Sequence, residues 1–368
     1  MPSLRLQSFS PIFRRRVSTE ALQSSLHKKL TSRRPNTIFD YLSPTPSHLL
    51  NLSLADFLPE TCYPPGFPTE NLELPHLARH KASPSSVLPQ GHHLVYFSPQ
   101  VPSSKLLPDG TDPLQWPGEP FVRRLWAGGA LLFNNDPNNR LGLDNRRAYC
   151  REHMPNVLVK GSQGDEKVFV NIERQIGYCG NTSDTAGPFC GSGAGSTIEE
   201  DRQTDADAEF SPAIVETRDI VFMREKSIAA IKEDISRPVK ILKPSLIPEF
   251  SVSLTPTQSL LFRFSALTFN AHAIHLDPQY CREVEGHRDL LVHGPLTLVL
   301  MLSVLRSQLK DGEMVRRFDY RNLAPLYANE ELRICVRKDR RAKGNKYDVW
   351  IEGKEGGYAV KGSAIVEE

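Results

Sequence analysis

The chain has 368 residues, 39 % of them hydrophobic and 24 % charged, with a formal net charge of +2. That is enough apolar material for one large domain or two ordinary ones, and the near-neutral balance argues against a dedicated nucleic-acid binder. Six cysteines without a Cys-x-x-Cys pair are too sparse for a disulfide framework and read as reduced thiols in a reducing compartment.

Residues 1–36 carry Arg5, Arg14, Arg15, Arg16, Lys28, Lys29, Arg33 and Arg34 against one acid, Glu20. Positive charge, frequent hydroxyl residues and scarce acids are the composition of a mitochondrial transit peptide, pointing to the matrix, with a disordered basic tail or a misassigned start as the alternatives. A first folded unit is expected over 37–225. Within it "LPQGHHLVYF" is a short apolar segment whose His92 and His93 read as pocket or surface residues, not as a second site. "PFVRRLWAGGALLF" reads as a buried strand bent by a glycine pair. "NVLVKGSQGDEKVFVNIERQI" alternates Val157 and Val159, then Val168, Val170 and Ile172, around a polar turn, which predicts a β-hairpin. "AIVETRDIVFMRE" supplies a further strand. Between them, at about 178–212, lies a Gly-, Ser-, Thr- and acid-rich stretch expected to be a disordered insert.

Residues 226–250, with lysines and three prolines, suit a surface linker, and 251–368 form the second unit. It opens on "TQSLLFRFSAL", read as a buried strand. "TFNAHAIHLD" follows, and then "HGPLTLVLMLSVLRSQL". In that last segment Pro295 suits a first helical position, and the apolar residues beyond it predict a helix buried on every side. The run from Leu296 to Leu305 falls short of the roughly 20 apolar residues that span a bilayer, so no membrane insertion is expected. "ELRICVRKD" and "KYDVWIEG" put Leu332, Ile334 and Val336, then Tyr347, Val349 and Ile351, on one face each, and "YAVKGSAIVEE" closes an antiparallel meander. The architecture implied is α+β: a double hotdog whose second copy is regular and whose first is degenerate, paired edge to edge in one sheet.

In "TFNAHAIHLD", His272 and His275 lie three apart with Asp277 close by. A zinc site would need three or four ligands, and no second cluster stands near, so no metal and no other cofactor is expected. The helix beginning at "HGP" offers free N–H groups and the positive end of its dipole. A base on the preceding segment would then meet the carbon beside a carbonyl polarised there. Asp277 reads as a turn cap. His293, at the helix entrance, could point either way.

Around "SALTFNAHAIHLD" and "VHGPL" the chain resembles the MaoC-like hotdog hydratases and dehydratases. With "DGTDP", "RRLWAGG", "VKGSQGDEKVFV" and "IVETRDIVFMRE" it is similar to their branch of mitochondrial type 2 3-hydroxyacyl-thioester dehydratases. The resemblance places His275 on the catalytic histidine, Asn270 on the catalytic aspartate and His272 on the family asparagine. Asn270 cannot ionise, which is a departure from the wider family. The implied reaction is reversible loss of water from an (R)-3-hydroxyacyl thioester. His275, with an imidazole pKa of about 6.5 giving access to both forms, would carry the proton. Asn270 would hold the hydroxyl, and the Gly294 N–H would bind the thioester oxygen. His272 and His293 would have supporting places. The first half, lacking the motif, would wall the acyl tunnel. The expected partner is an acyl carrier protein or coenzyme A thioester, and a homodimer is compatible with the sequence. "VRKDRRAKGNK", with Arg337, Arg340 and Arg341, reads either as a solvated hairpin tip or as a landing site for an acidic carrier protein. A hydratase of branched dicarboxylic acyl-CoA (mesaconyl-CoA-like) and a catalytically idle hotdog scaffold are the alternatives.

Overall fold

The computed structural model describes residues 18–63, 87–179, 211–236 and 241–368. The first half contributes β1 (Asn36–Tyr41), β2 (Arg123–Phe133), β3 (Arg147–Lys160), β4 (Lys167–Tyr178) and β5 (Ile214–Met223). The second contributes β6 (Phe250–Leu254), β7 (Met314–Asn322), β8 (Leu332–Lys338), β9 (Asn345–Glu352) and β10 (Tyr358–Glu367). They form one ten-stranded sheet in the order β1-β3-β4-β5-β2-β7-β10-β9-β8-β6. Read from each outer edge inward, both halves follow the same path: first strand, third, fourth, fifth, second. The two copies of the hotdog meet where β2 pairs antiparallel with β7, with Gly129 opposite Tyr320 and Leu131 opposite Phe318. β2 is bent at the glycine pair by a register shift between Trp126 and Gly128.

Helix α6 (Gly294–Arg306) occupies the second half, and every residue from Leu296 to Leu305 is buried. It lies against β2, β7, β8 and β9 and against the short turns at 60–62 and 92–95. This closes it on all sides, as a helix apolar all round requires. In the first half the helix at the corresponding place, α2 (Pro44–Leu54), is shorter and buries Ser47, His48, Asn51 and Ser53 beside its leucines. It packs on α4 (Gln258–Leu267) and on the 92–95 turn.

Four segments differ from the reading of the sequence. "QSLLFRFSAL" is helix α4 and not a strand. Thr257 caps it, its Oγ1 accepting from the Leu260 N–H, and Leu260, Leu261 and Phe264 form its buried stripe. The segment read as a linker contains α3 (Ile228–Ser236), anchored by Ile231. His92 and His93 lie neither in a pocket nor on the surface: both are wholly buried in a tight turn. Their polar atoms face inward, His92 Nδ1 being 2.7 Å from Ser47 Oγ and His93 Nε2 3.8 Å from a Glu216 oxygen.

The fourth segment is α1 (Thr19–Thr31), which falls inside the stretch assigned to a leader. It lays Leu26 and Leu30 on Phe121, Val157 and Val170. Gln23 donates to the Val157 carbonyl at 2.7 Å and accepts from the Val159 N–H at 2.5 Å. Its charges dominate its composition, and its leucine stripe at i, i+4 is what seats it on the sheet. Residues 1–17 and most of the acidic insert lie outside the described residues. Among the described residues no helix is long and apolar enough to cross a membrane.

Candidate active site

Helix α4 ends at Leu267, and Phe269 (φ +52) turns the chain back. The next residues are held by their own polar groups. Asn270 Oδ1 accepts from the His272 N–H at 3.0 Å, and Ala273–His275 form one tight turn. Asp277 then accepts from Gln279 N–H and Tyr280 N–H, capping α5 (Pro278–Tyr280). The chain returns through Leu291, whose N–H bonds the Ile274 carbonyl, and enters α6 at Gly294. The motif and the N-terminus of the central helix are thus tied together by backbone.

His275 is the junction of that tie. Its Nδ1 lies 2.7 Å from the Leu291 carbonyl oxygen. A carbonyl only accepts, so Nδ1 carries the proton and Nε2 keeps its lone pair. The ring is stacked on His293 at 3.6 Å between centroids and 21° between planes. Burial lowers the His275 pKa to about 4, against the raising effect of the Leu291 bond. The unperturbed 6.5 expected from its residue type therefore does not apply: the imidazole is neutral at pH 7 because burial disfavours its cation.

His293 points inward. It is fully buried, its Nε2 is 2.8 Å from Ser265 Oγ, and burial again pushes its pKa well down. It supports the His275 ring from behind. His272 is also buried, with its ring edge-on to His275 at 5.6 Å, and burial lowers its pKa well below 6.5. Its Nε2 lies 3.5 Å from Asp109 Oδ2, a carboxylate contributed by the first half.

Asn270, His272, His275 and Gly294 line one cleft of ≈ 780 Å³, which continues between apolar residues of the first half such as Phe97, Leu106 and Ile220. As first residue of α6, Gly294 has an N–H with no carbonyl one turn earlier to bond. Trp126 and Asn322 stand where a β-carbon on it would go. The Trp126 indole is fixed by Nε1 donating to Tyr320 Oη at 2.8 Å, and its carbonyl accepts from Asn322 Nδ2 at 2.8 Å. Deeper in the first half, Arg174 and Arg218 clasp the buried Glu216 at 3.0 and 2.7 Å. Burial alone would raise the Glu216 carboxyl, but the two guanidinium groups hold it down at about 2.

Asp109, Trp126, Ser265 and Asn322 were not singled out by sequence reasoning. "DGTDP" carries part of the family resemblance, but nothing local shows that its first aspartate reaches a motif more than 160 positions on. Arg337, Arg340 and Arg341 sit at the β8–β9 hairpin, and none of them lines the cleft. Arg340 pairs at the surface with Glu249 at 3.2 Å.

A family model described as hydroxyacyl-thioester dehydratase type 2 matches residues 91–190 and 189–328. The mitochondrial hydroxyacyl-thioester dehydratase type 2 of Schizosaccharomyces pombe is 28 % identical over 304 residues, covering 81 % of this chain and 88 % of the relative. The mesaconyl-C(4)-CoA hydratase of Chloroflexus aurantiacus is 30 % identical over 284 residues, covering 77 % of this chain and 84 % of the relative. Among solved structures, a MaoC-like dehydratase from Phytophthora capsici superposes with a TM-score of 0.57 at 11 % identity, over 93 % of this chain and 97 % of that one. That likeness bears on the fold alone.

Proposed function

The chain belongs to the type 2 hydroxyacyl-thioester dehydratase family and is a hydro-lyase, and on that premise we propose that it interconverts (R)-3-hydroxyacyl and trans-2-enoyl thioesters in mitochondrial fatty acid synthesis. The observation that carries this reading is the His275 imidazole, locked as the Nδ1–H tautomer with its Nε2 lone pair free, beside the N-terminus of α6.

In dehydration the thioester oxygen accepts the Gly294 N–H at the positive end of the helix. His275 Nε2 takes the proton from C2, and the electron pair moves onto that oxygen as an enolate. When the pair returns, the C2–C3 double bond forms, the C3–O bond breaks, and the hydroxyl leaves as water with the proton from His275. Hydration is the reverse. An oxyanion donor is worth about 3 kcal/mol and general acid–base transfer about 10²–10⁴ in rate. The Asn270 carbonyl oxygen is already engaged by the His272 N–H, so its amide N–H₂ is what remains to hold the departing or attacking oxygen.

Import into the matrix is supported by the basic, acid-free composition of residues 1–17 and by the mitochondrial relative. The acyl carrier is a carrier protein or coenzyme A. A second reading, hydration of a dicarboxylic acyl-CoA, is favoured by Arg124. It lines the cleft, its Nη2 donates to the Asp112 carbonyl at 2.9 Å, and no carboxylate of the described residues forms an ion pair with it.

The test is turnover of crotonyl, longer enoyl and mesaconyl thioesters on both carriers, by wild type and His275→Ala. Hydration of straight-chain enoyl thioesters, lost about 10²-fold or more in the variant, is the expected result. A preference for mesaconyl-CoA would favour the second reading. Inactivity on every thioester would leave an idle scaffold and sink both.

A further inference from the structure

Asp109 Oδ2 and His272 Nε2 face each other at 3.5 Å, beyond a good hydrogen bond, and neither atom has any hydrogen-bond partner among the described residues, so each is the polar group open to the other. Both side chains are about nineteen-twentieths buried. The carboxylate cannot swing away. Its other oxygen, Oδ1, accepts from the Thr111 N–H at 3.0 Å and from Thr111 Oγ1 at 2.5 Å, and the Asp109 carbonyl accepts from the Ala273 N–H at 2.8 Å. Gly110, at φ +82, lies so close that a β-carbon there would run into the Ala271 carbonyl. A turn of the first half is therefore seated on the catalytic loop of the second.

A carboxylate only accepts, so it selects the His272 tautomer with the proton on Nε2 and the lone pair on Nδ1. That tautomer is neutral, in keeping with the lowering of this pKa by burial, by His275 and by Arg124. His272 lines the cleft, and no protein group among the described residues bonds its Nδ1.

We propose that Asp109 is a positioning residue that makes His272 Nδ1 a hydrogen-bond acceptor for the water added to, or lost from, C3. The inference rests on the hydro-lyase reading above. An attacking water has two lone pairs and two protons to place. One pair forms the bond to C3 and the other accepts from the Asn270 amide N–H. One proton goes to His275 Nε2 and on to C2, and the second donates to His272 Nδ1 and stays on the product hydroxyl. All four directions of the oxygen are then specified. With the opposite His272 tautomer, an N–H would point at that second proton, and the water would be turned away from C3.

The test contrasts Asp109→Asn with Asp109→Ala. Thr111 donates twice to Oδ1, so an asparagine must keep its carbonyl there and turn its N–H₂ toward His272. This forces the proton to Nδ1. Alanine leaves the tautomer free. The expected order of kcat is wild type, then Ala, then Asn, with Asn reduced at least tenfold and KM within about threefold. The expected order of melting temperature is wild type, Asn, Ala. A purely structural role would make the near-isosteric Asn the milder variant in both measures, and that result would overturn the proposal.

Imidazole ¹⁵N NMR gives a readout that needs no turnover. His272 should be protonated on Nε2 in the wild type and on Nδ1 in Asp109→Asn, and a wild-type Nδ1–H tautomer would refute the inference outright. A wild type that hydrates no enoyl thioester would instead defeat the hydro-lyase reading, whatever the tautomer.

Discussion

Trp126 stands against Gly294: a β-carbon on Gly294 would lie 3.0 Å from both Cβ and Cγ of the indole. The indole cannot easily give way, being held through Tyr320 and Asn322. Only a residue without a side chain lets β2 of one half close on the start of α6 in the other. Gly294→Ala should therefore fold, with a stability loss of about 1–3 kcal/mol typical of overpacking. It should lose at least tenfold in kcat, because the displaced N–H no longer meets the enolate oxygen. Steady-state kinetics and thermal melts on the same preparation check both, and unchanged kcat would remove Gly294 from the oxyanion role.

Acid should weaken the fold through its histidines. Burial, the largest cause in each case, lowers His93, His275 and His287 to about 4, and His92, His272 and His293 well below 6.5. Between pH 6.5 and 4 the unfolded chain binds protons that the folded chain refuses. The stability these groups contribute is therefore complete above 6.5 and lost as pH falls toward 4. The melting temperature should be flat from pH 7 to 8 and drop steeply at pH 5. Over pH 6 to 8, kcat/KM should show no acid limb. A limb near 6.5 would mean that His275 is solvated like a free imidazole.

Asn270→Asp is a conservative change of shape and a radical change of chemistry. The new carboxylate can still accept from the His272 N–H, so the turn should survive and the melting temperature should move by no more than a few degrees. It loses the amide donor and gains an ionisable group at the water site. A partly active enzyme with an altered pH profile is the expected outcome. A profile superimposable on the wild type would show that this position takes no part in the proton chemistry.

The β8–β9 hairpin provides a test of carrier preference. Arg337, Arg340 and Arg341 lie away from the cleft, and Arg340 is 80 % exposed in its surface pair with Glu249. A single such pair contributes only about 0–1 kcal/mol, so docking of an acidic carrier protein would need the three together. Changing all three to Glu should raise KM for the carrier-bound acyl group severalfold, less so at high salt, and leave KM for the coenzyme A thioester within about twofold. Equal losses on both would mean that the arginines act on the phosphopantetheine arm that the two thioester carriers share. No loss on either would return the hairpin to a solvated tip.

The sequence by itself determined what depends on near neighbours. Alternation placed β8 and β9 and the β3–β4 hairpin, because side chains on a strand reverse face at every residue. The apolar run after Pro295 announced a helix with no solvent side, and that alone required a sheet and further segments to close around it. The resemblance placed His275, Asn270 and Gly294 together, and the structure brings all three to one cleft.

What only the tertiary structure decided depends on partners distant in sequence. In "QSLLFRFSAL" a short apolar run is compatible with either period, and packing on α2 made it a helix. The leucines of α1 had no visible counterpart until β3 was laid beside them. The burial of His92 and His93, the reach of Asp109 to His272 and the fall of the His275 pKa follow from segments that the fold packs together and not from their neighbours in sequence. Dielectric and hydrogen-bond partner are properties of a folded environment and not of a residue type.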